Sequence, residues 1–213
     1  MWRERLISGY QQFRAGDYPQ QKALYEELGR HGQSPEIMLI SCCDSRADPS
    51  DIFNAYPGEM FVLRNVANIV PSYDPAKPDF STGAAIEYAA TVLKVKAIVV
   101  MGHESCGGIK GCLDGMEDDP NGSMIGPWVS VMNGVRDRIL AQNLPENEQA
   151  YAMELEGVRQ SLRNLTTYPF IREAMASGEL SLQGAYFSII QAKLMLADKE
   201  GVFHEIETGL TEL

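Results

Sequence analysis

The sequences IMLISCCDSR at residues 37–46 and AIVVMGHESCGG at residues 97–108 decide the fold of this chain. Each begins as a short, continuous apolar run and ends in side chains that bind metals or titrate. Four short apolar runs that look like buried strands lie at residues 37–41, 60–64, 97–101 and 182–189. Continuous runs of this length are typical of parallel strands that are covered on both faces, so we expect four buried strands.

Helical spacing of apolar residues occurs around and between these strands. It is found in residues 2–30, with a break near 16–19, and in residues 83–95, 128–142 and 148–165. Strands that alternate with helices predict an α/β fold, in which helices flank a central, mainly parallel β-sheet. No connecting segment is long enough to mark a boundary, so we expect residues 1–213 to form one domain.

Two of the predicted strands end at residues with metal-binding chemistry. Cys42 follows the first strand, and His103 and Cys106 follow the third. Ligands of open α/β sheets bind beyond the carboxyl ends of the strands, where these side chains should meet. Imidazole and thiolate are preferred zinc ligands, and three protein ligands are typical of a catalytic site whose fourth position is open. The alternative is a buried structural cysteine beside a loop histidine.

Asp44 and Arg46 follow the first ligand at intervals of two residues. In an extended backbone they lie on the same side as Cys42. Asp44 is then placed to accept a hydrogen bond from a zinc-bound hydroxide, and a bidentate Arg46 would keep the carboxylate ionised. The alternative is a surface turn with a solvent-exposed salt bridge.

The other cysteines and histidines are expected to be structural or ordinary surface residues. Alternation along the strand predicts that Cys43 points to the opposite face and packs there. Cys112 is expected in the core, and His31 and His204 lie in polar surroundings typical of the surface. The acidic, turn-rich residues 114–123 are expected to form a solvated loop. No fourth metal ligand is therefore predicted.

Composition limits the classes of partner. The chain has 213 residues, with 29 Asp and Glu against 18 Lys and Arg, and a net charge of −11. Such a surface repels nucleic acids and anionic membranes, so neither is an expected partner. The charged N-terminus lacks the apolar stretch of a signal peptide, so we expect a cytoplasmic protein. In that compartment the four cysteines are better explained as thiols, ligands or nucleophiles than as disulfides.

The two motifs, Cys-x-Asp-Ser-Arg at residues 42–46 and His-x-x-Cys-Gly-Gly at residues 103–108, resemble those of the β-class carbonic anhydrases. The resemblance extends over about residues 20 to 200 and is nearest to the plant-type branch. It implies reversible hydration of CO₂ to bicarbonate and a proton, by a zinc-bound hydroxide. It also implies one Zn²⁺ per subunit on the three ligands above, and a role in carbon utilization.

The resemblance further implies a substrate pocket and an oligomer. Gln33 is expected to hydrogen-bond CO₂ or bicarbonate, and the backbone N–H near Gly107 to contact substrate. Phe61 and Tyr88 are expected to line a narrow apolar pocket that reaches across a subunit interface. A homodimer or a dimer of dimers is expected, with residues 1–30 forming a helical arm that packs on a partner subunit.

Regulation is the point on which the sequence departs from part of the family. One branch has a second bicarbonate site built from Trp, Arg and Tyr, and the matching positions here are Leu39, Arg64 and Phe187. Only the arginine is kept, so we expect this site to be absent. Ala47 also replaces a commoner valine. The family further implies that at low pH Asp44 can leave its arginine and occupy the fourth zinc position.

Three other functions remain open at this point. A carbon disulfide or carbonyl sulfide hydrolase of the same family would use the same ligands. A non-enzymatic, zinc-stabilised scaffold or regulatory binding protein would need zinc only for its stability. A thiol switch would pair Cys42 with Cys43 or Cys106 with Cys112. Adjacent cysteines rarely form unstrained disulfides, however, and neither pair is a Cys-x-x-Cys motif.

Overall fold

One mixed β-sheet organises the computed structural model, which describes residues 1–77, 80–116 and 123–207. Within these ranges its strands are β1 (Ile37–Cys42), β2 (Met60–Asn65), β3 (Ala97–His103), β4 (Ser181–Ser188), β5 (Lys193–Ala197) and β6 (Phe203–Glu205). Their order is β2-β1-β3-β4-β5-β6. The first four are parallel, and β5 and β6 extend the sheet in antiparallel fashion. The predicted mainly parallel sheet is therefore confirmed, with two additional strands.

The helices in the described ranges follow the predicted pattern with two local differences. They are α1 (Trp2–Ala15), α2 (Asp17–His31), α3 (Pro49–Ile52), α4 (Thr82–Glu87), α5 (Gly107–Leu113), α6 (Ile125–Val129), α7 (Asn133–Leu140), α8 (Glu146–Leu165) and α9 (Pro169–Ala176). The predicted helix at 83–95 continues beyond α4 as a π-helical segment, Tyr88–Leu93. The predicted helix at 128–142 is divided into α6, a 3₁₀ turn and α7.

The main core lies between α8, α9 and one face of the sheet. Buried members include Val100, Val158, Leu165 and Tyr186. The axis of α8 passes close to β3 at Gly102, where a Cβ would lie 2.8 Å from Cγ2 of Val158. Only glycine permits this approach, which brings α8 directly behind the carboxyl end of β3.

The opposite face of the sheet carries a smaller apolar cluster around Leu39, Met101 and Ala185. Towards the amino ends of the strands this face forms a groove of about 680 Å³, which is lined largely by apolar side chains. Val99 and Leu194 are among the lining residues. The two faces therefore differ, because helices cover the first and an open groove marks the second.

The N-terminal helices form an arm with an apolar surface. Neither α1 nor α2 contains a buried residue. The rings of Phe13, Tyr18 and Tyr25 pack against one another, with centroids 5.6 to 5.9 Å apart, and join the two helices. Trp2 and Leu6 are exposed one helical turn apart. In the part of the chain that the structure describes, no helix has both the length and the apolar character needed to cross a membrane.

Candidate metal centre

Three predicted ligands meet at the carboxyl edge of the sheet. Cys42 is the last residue of β1 and His103 the last residue of β3, and these two strands are neighbours. Cys106 lies at the start of α5. One ligand atom from each of the three residues lies within 4.8 Å of the other two, and all three side chains are buried. No other group of this kind occurs in the described ranges.

The distances and the tautomer of this cluster fit a tetrahedral zinc ion. The two sulfur atoms are 3.9 Å apart. Two sulfurs at about 2.3 Å from a tetrahedral ion would be about 3.8 Å apart. Nδ1 of His103 lies 2.9 Å from the carbonyl oxygen of Glu104, which assigns the proton to Nδ1. Nε2 is then a free acceptor, and it is buried without a hydrogen-bond partner, as expected of a metal ligand.

One of the two thiols, that of Cys42, is already polarised towards the thiolate that a metal requires. The neighbouring thiol of Cys106 lowers the pKa of Cys42 below its ordinary value, against the opposing effect of burial, and the same contact together with burial raises the pKa of Cys106. The backbone N–H of Ala67 adds to this by donating to Sγ of Cys42 at 3.4 Å. One thiolate is therefore favoured before a cation arrives, and the cation has to displace the proton of Cys106.

The turn that supplies this N–H is an unpredicted part of the site. It is a 3₁₀ turn, Val66–Asn68, in which Ala67 and Asn68 adopt left-handed backbone angles, with φ of 63° and 47°. Trp128 Nε1–H donates to the carbonyl of Val66 at 2.8 Å. A Cβ at Gly108 would lie 2.7 Å from Cγ1 of Val66 and 2.9 Å from Cβ of Ala67, so α5 packs directly against this turn.

Asp44 and Arg46 form a bidentate ion pair beside the ligands. Arg46 donates from Nε to Oδ1 at 2.9 Å and from Nη2 to Oδ2 at 2.7 Å, and its backbone N–H also donates to Oδ1 at 2.9 Å. These bonds lower the pKa of Asp44 well below its ordinary value. Nη2 also donates to the carbonyl of Ser105 at 3.1 Å, which joins the two motifs. Oδ2 of Asp44 is 4.0 Å from Nε2 of His103.

Arg64 holds the first motif from the side of β2. Its Nε donates to the carbonyl of Cys42 at 2.9 Å, and its Nη2 donates to the carbonyl of Asp44 at 2.7 Å. Nη1 pairs with the carboxylate of Asp48. The guanidinium is therefore committed on all three nitrogens to the backbone and side chains of residues 42–48.

Comparisons with known proteins agree with this geometry. The family described as carbonic anhydrase matches residues 37–194. The chain is also 38% identical over 193 residues to beta carbonic anhydrase 3 of Arabidopsis thaliana, covering 88% of this chain and 74% of that protein. The chain belongs to the β-carbonic anhydrase family. Carbonate dehydratase is accordingly the activity that its relatives indicate, as the two motifs implied.

Solved structures of the β-carbonic anhydrase family share the whole fold. The β-carbonic anhydrase CcaA superposes with a TM-score of 0.89 and 33% identity, over 97% of this chain and 92% of that one. One of two tetrameric β-carbonic anhydrases from Sordaria macrospora superposes with a TM-score of 0.77 and 31% identity, over 95% of each chain. The fold class and the resemblance are therefore confirmed.

Residues that the β-carbonic anhydrase resemblance assigns to the substrate pocket are not all near these ligands. Phe61 pairs with Met38 in the sheet, four residues before the ligand at the end of β1. That separation is about 13 Å along a strand. The ring of Tyr88 lies 5.8 Å from that of Phe61, and Gln33 is exposed ahead of β1. Of the four pocket residues, only Gly107 directly adjoins a ligand.

One structural prediction for the remaining candidates is wrong. Cys43 is exposed, not packed, because the chain leaves the sheet at this point and turns, with the N–H of Ala47 donating to the carbonyl of Asp44. Cys112 is buried and His31 and His204 are exposed, as predicted. Most of the predicted acidic loop, residues 117–122, lies outside the described residues.

Proposed function

We propose that this chain catalyses the reversible hydration of CO₂ to bicarbonate and a proton, with one Zn²⁺ per subunit bound to Cys42, His103 and Cys106. The observation that carries the proposal is the convergence of these three ligand atoms within 4.8 Å, next to an ionised Asp44 that is not one of them. Three protein ligands leave a tetrahedral ion one open position. When bound there, zinc supplies a Lewis acid that makes water nucleophilic near neutral pH.

Asp44 is the residue that we expect to orient the nucleophile. Its Oδ1 already accepts two hydrogen bonds from Arg46, whereas its Oδ2 accepts one. Oδ2 therefore has acceptor capacity left, and it is the oxygen that faces the imidazole of His103. A carboxylate held ionised in this way accepts a hydrogen bond and cannot donate one, which directs a lone pair of the nucleophile towards CO₂.

Metal content and CO₂ hydration test the proposal together. We expect about one zinc per wild-type chain by mass spectrometry. Asp44→Asn should keep the metal and lose about 10²-fold or more in stopped-flow hydration, because its amide cannot act as an ionised acceptor. Glu36→Gln, which breaks an exposed ion pair with Lys96, is the matched control. A metal-free active protein, or full activity in Asp44→Asn, would refute the mechanism. Faster turnover of carbon disulfide or carbonyl sulfide would reassign the substrate.

We further infer that the site is completed across a subunit interface. This inference rests on the register of the sheet, which places the backbone of Phe61 about 13 Å along the strand direction from Cys42 of its own chain. The exposed apolar stripe of α1, including Trp2 and Leu6, and the open groove on the sheet offer surfaces for a homodimer or a dimer of dimers. Gln33, Phe61 and Tyr88 would then serve the ligands of a partner.

Mixing two inactive variants tests this arrangement. Gln33→Ala keeps the ligands and Cys42→Ser keeps the pocket residues. In a mixed dimer, a pocket shared between chains gives one site with intact Cys42 from one chain and intact Gln33 from the other. Activity should therefore return on unfolding and refolding the two variants together. Activity no higher than the sum of the two separate variants would contradict a shared pocket.

The compartment is a further proposal. All four cysteines carry free thiols, one of them exposed. Free thiols of this kind persist in reducing compartments. We therefore propose the cytoplasm, which expression of the tagged chain and cell fractionation would test.

A further inference from the structure

A buried carboxylate lies behind the metal centre, on the side away from Asp44. Glu154 is in the middle of α8 and its residue surface is 5% exposed. Its Oε1 accepts a hydrogen bond from the backbone N–H of Cys106 at 3.0 Å. Its Oε2 accepts one from the hydroxyl of Tyr186, on β4, at 2.7 Å. Tyr186 is itself buried, and its ring packs edge-on against that of Tyr151, also on α8.

This carboxylate has no part in the proposed chemistry. It is not among the three ligand residues of the centre, and it contacts Cys106 through the backbone and not through sulfur. A buried charge is unfavourable unless hydrogen bonds compensate it, so its presence here needs a reason beyond packing. Leucine or methionine would fill the same space in the core without that penalty.

The segment that Glu154 holds is a strained turn. Ser105, between the two ligands of the second motif, has a φ of 55°, which is unusual for a residue other than glycine. Strained turns keep one conformation only when their surroundings fix them. Arg46 binds the carbonyl of Ser105 at 3.1 Å on one side, and Glu154 binds the N–H of Cys106 on the other.

We propose that Glu154 is a positioning residue of the metal centre. By fixing the N–H of Cys106 it places the thiolate of that residue where a zinc ion needs it, and the hydroxyl of Tyr186 fixes the carboxylate in turn. The inference rests on the proposed zinc site. It deepens that proposal by assigning a residue that neither motif contains. Groups that orient metal ligands in this way commonly change metal affinity by about 10- to 100-fold when they are removed.

Zinc affinity of the full-length apoprotein is the deciding measurement. The dissociation constant is obtained by competition with a chromophoric chelator, and the melting temperature of each apoprotein is recorded beside it. Glu154→Leu should raise the zinc dissociation constant about 10- to 100-fold. Glu154→Gln keeps an oxygen acceptor for the N–H of Cys106, so it should raise the constant by less. Tyr186→Phe should also have a smaller effect than Glu154→Leu, because it releases only one of the two hydrogen bonds.

Glu156→Gln is the matched control on the same helix. The carboxylate of Glu156 accepts from Arg159 and Arg163, at 3.1 and 2.6 Å, and also pairs with Arg138, so its partners in the described ranges are arginines outside the ligand turn. Its substitution should leave zinc affinity unchanged, even if stability falls. Cobalt-substituted protein provides a second readout, since the absorption bands of bound Co²⁺ should shift in Glu154→Gln and not in Glu156→Gln.

Two results would overturn the inference. One is a folded Glu154→Leu with wild-type zinc affinity, whether or not its apoprotein melts at a lower temperature. The other result applies only if Glu154→Leu does not fold. In that case, wild-type zinc affinity in both Glu154→Gln and Tyr186→Phe would overturn the inference. A wild-type chain that binds no zinc would instead refute the proposed function itself.

Discussion

Replacing Gly108 by alanine tests how closely α5 packs against the turn Val66–Asn68. The added Cβ would lie 2.7 Å from Cγ1 of Val66 and 2.9 Å from Cβ of Ala67. Carbon atoms in contact lie at about 3.5 Å or more, so the second distance is short by about 0.6 Å. The Val66 side chain can rotate away. The Cβ of Ala67 can move only with its backbone, and that backbone carries the N–H that donates to Cys42.

The expected cost follows from this overlap. Overpacking of a well-filled site costs about 1–3 kcal/mol, which corresponds to a change of about 5- to 150-fold in the unfolding equilibrium. The N–H of Ala67 is already 3.4 Å from Sγ of Cys42. A shift of the turn away from α5 by about 0.6 Å would disturb this already long hydrogen bond. Gly108→Ala should therefore lose both stability and zinc affinity.

Urea denaturation of the chelator-treated protein measures the loss of stability. It is carried out at one fixed protein concentration because subunit association contributes to stability. Gly107→Ala is the matched control, since a Cβ there meets nothing within 4 Å. Alanine replaces glycine in the same helical turn, so this control should be neutral or up to about 1 kcal/mol more stable. Equal unfolding midpoints for the two variants would refute the packing argument.

Three other substitutions have defined outcomes. Arg64→Met removes the donors that hold the first motif, so it should lower the free energy of unfolding in urea by about 2 kcal/mol and should also lower CO₂ hydration activity. Full activity would contradict the role of this arginine. Trp128→Phe removes one hydrogen bond to Val66 and should cost about 1 kcal/mol, with an unchanged midpoint as the contrary result. The hydrogen bond from His204 lowers the pKa of Asp198 below its ordinary value. This pair therefore stabilises the fold fully when the pH is above the ordinary pKa of an aspartate, and the stabilisation is lost as the pH falls through the lowered pKa. At about pH 5 the melting temperature of Asp198→Asn should therefore be lower than that of the wild type, and in strong acid the two melting temperatures should be equal. A difference in melting temperature that stays constant across this pH range would argue against the linkage.

The parts of the fold that the sequence predicts are those with a local signal. Four parallel strands appear as continuous apolar runs, but the expectation that all four are buried is wrong for β2, which lies at the edge of the sheet and is only partly buried. The meeting of Cys42 with His103 follows from the rule that ligands gather at the carboxyl ends of neighbouring strands. The strand β5 was not predicted, although KLMLA at residues 193–197 contains an apolar run as long as that of MFVLR at residues 60–64. It is a strand because it pairs with β4.

Other features depend on contacts that are distant in the chain. Alanine has no preference for the left-handed conformation, so the backbone of Ala67 is imposed by packing and cannot be predicted from residue type. The role of Glu154 depends on Cys106, which is 48 residues away. Alternation along a strand predicted a packed Cys43, but the strand ends one residue too early for that rule to apply.

The placement of the ligands on two neighbouring strands has a consequence for chain topology. Cys42 and Cys106 are 64 residues apart in sequence, and the chain between them contains β2, α4 and β3. An ion bound by both therefore acts as a cross-link that closes this long loop. Closing a loop of that length in an unfolded chain costs about 4 kcal/mol of conformational entropy at 25 °C, on the chain-entropy estimate used for disulfides. The same ion that supplies the chemistry would thus also hold this loop closed in the folded chain, in which none of the four cysteines forms a disulfide.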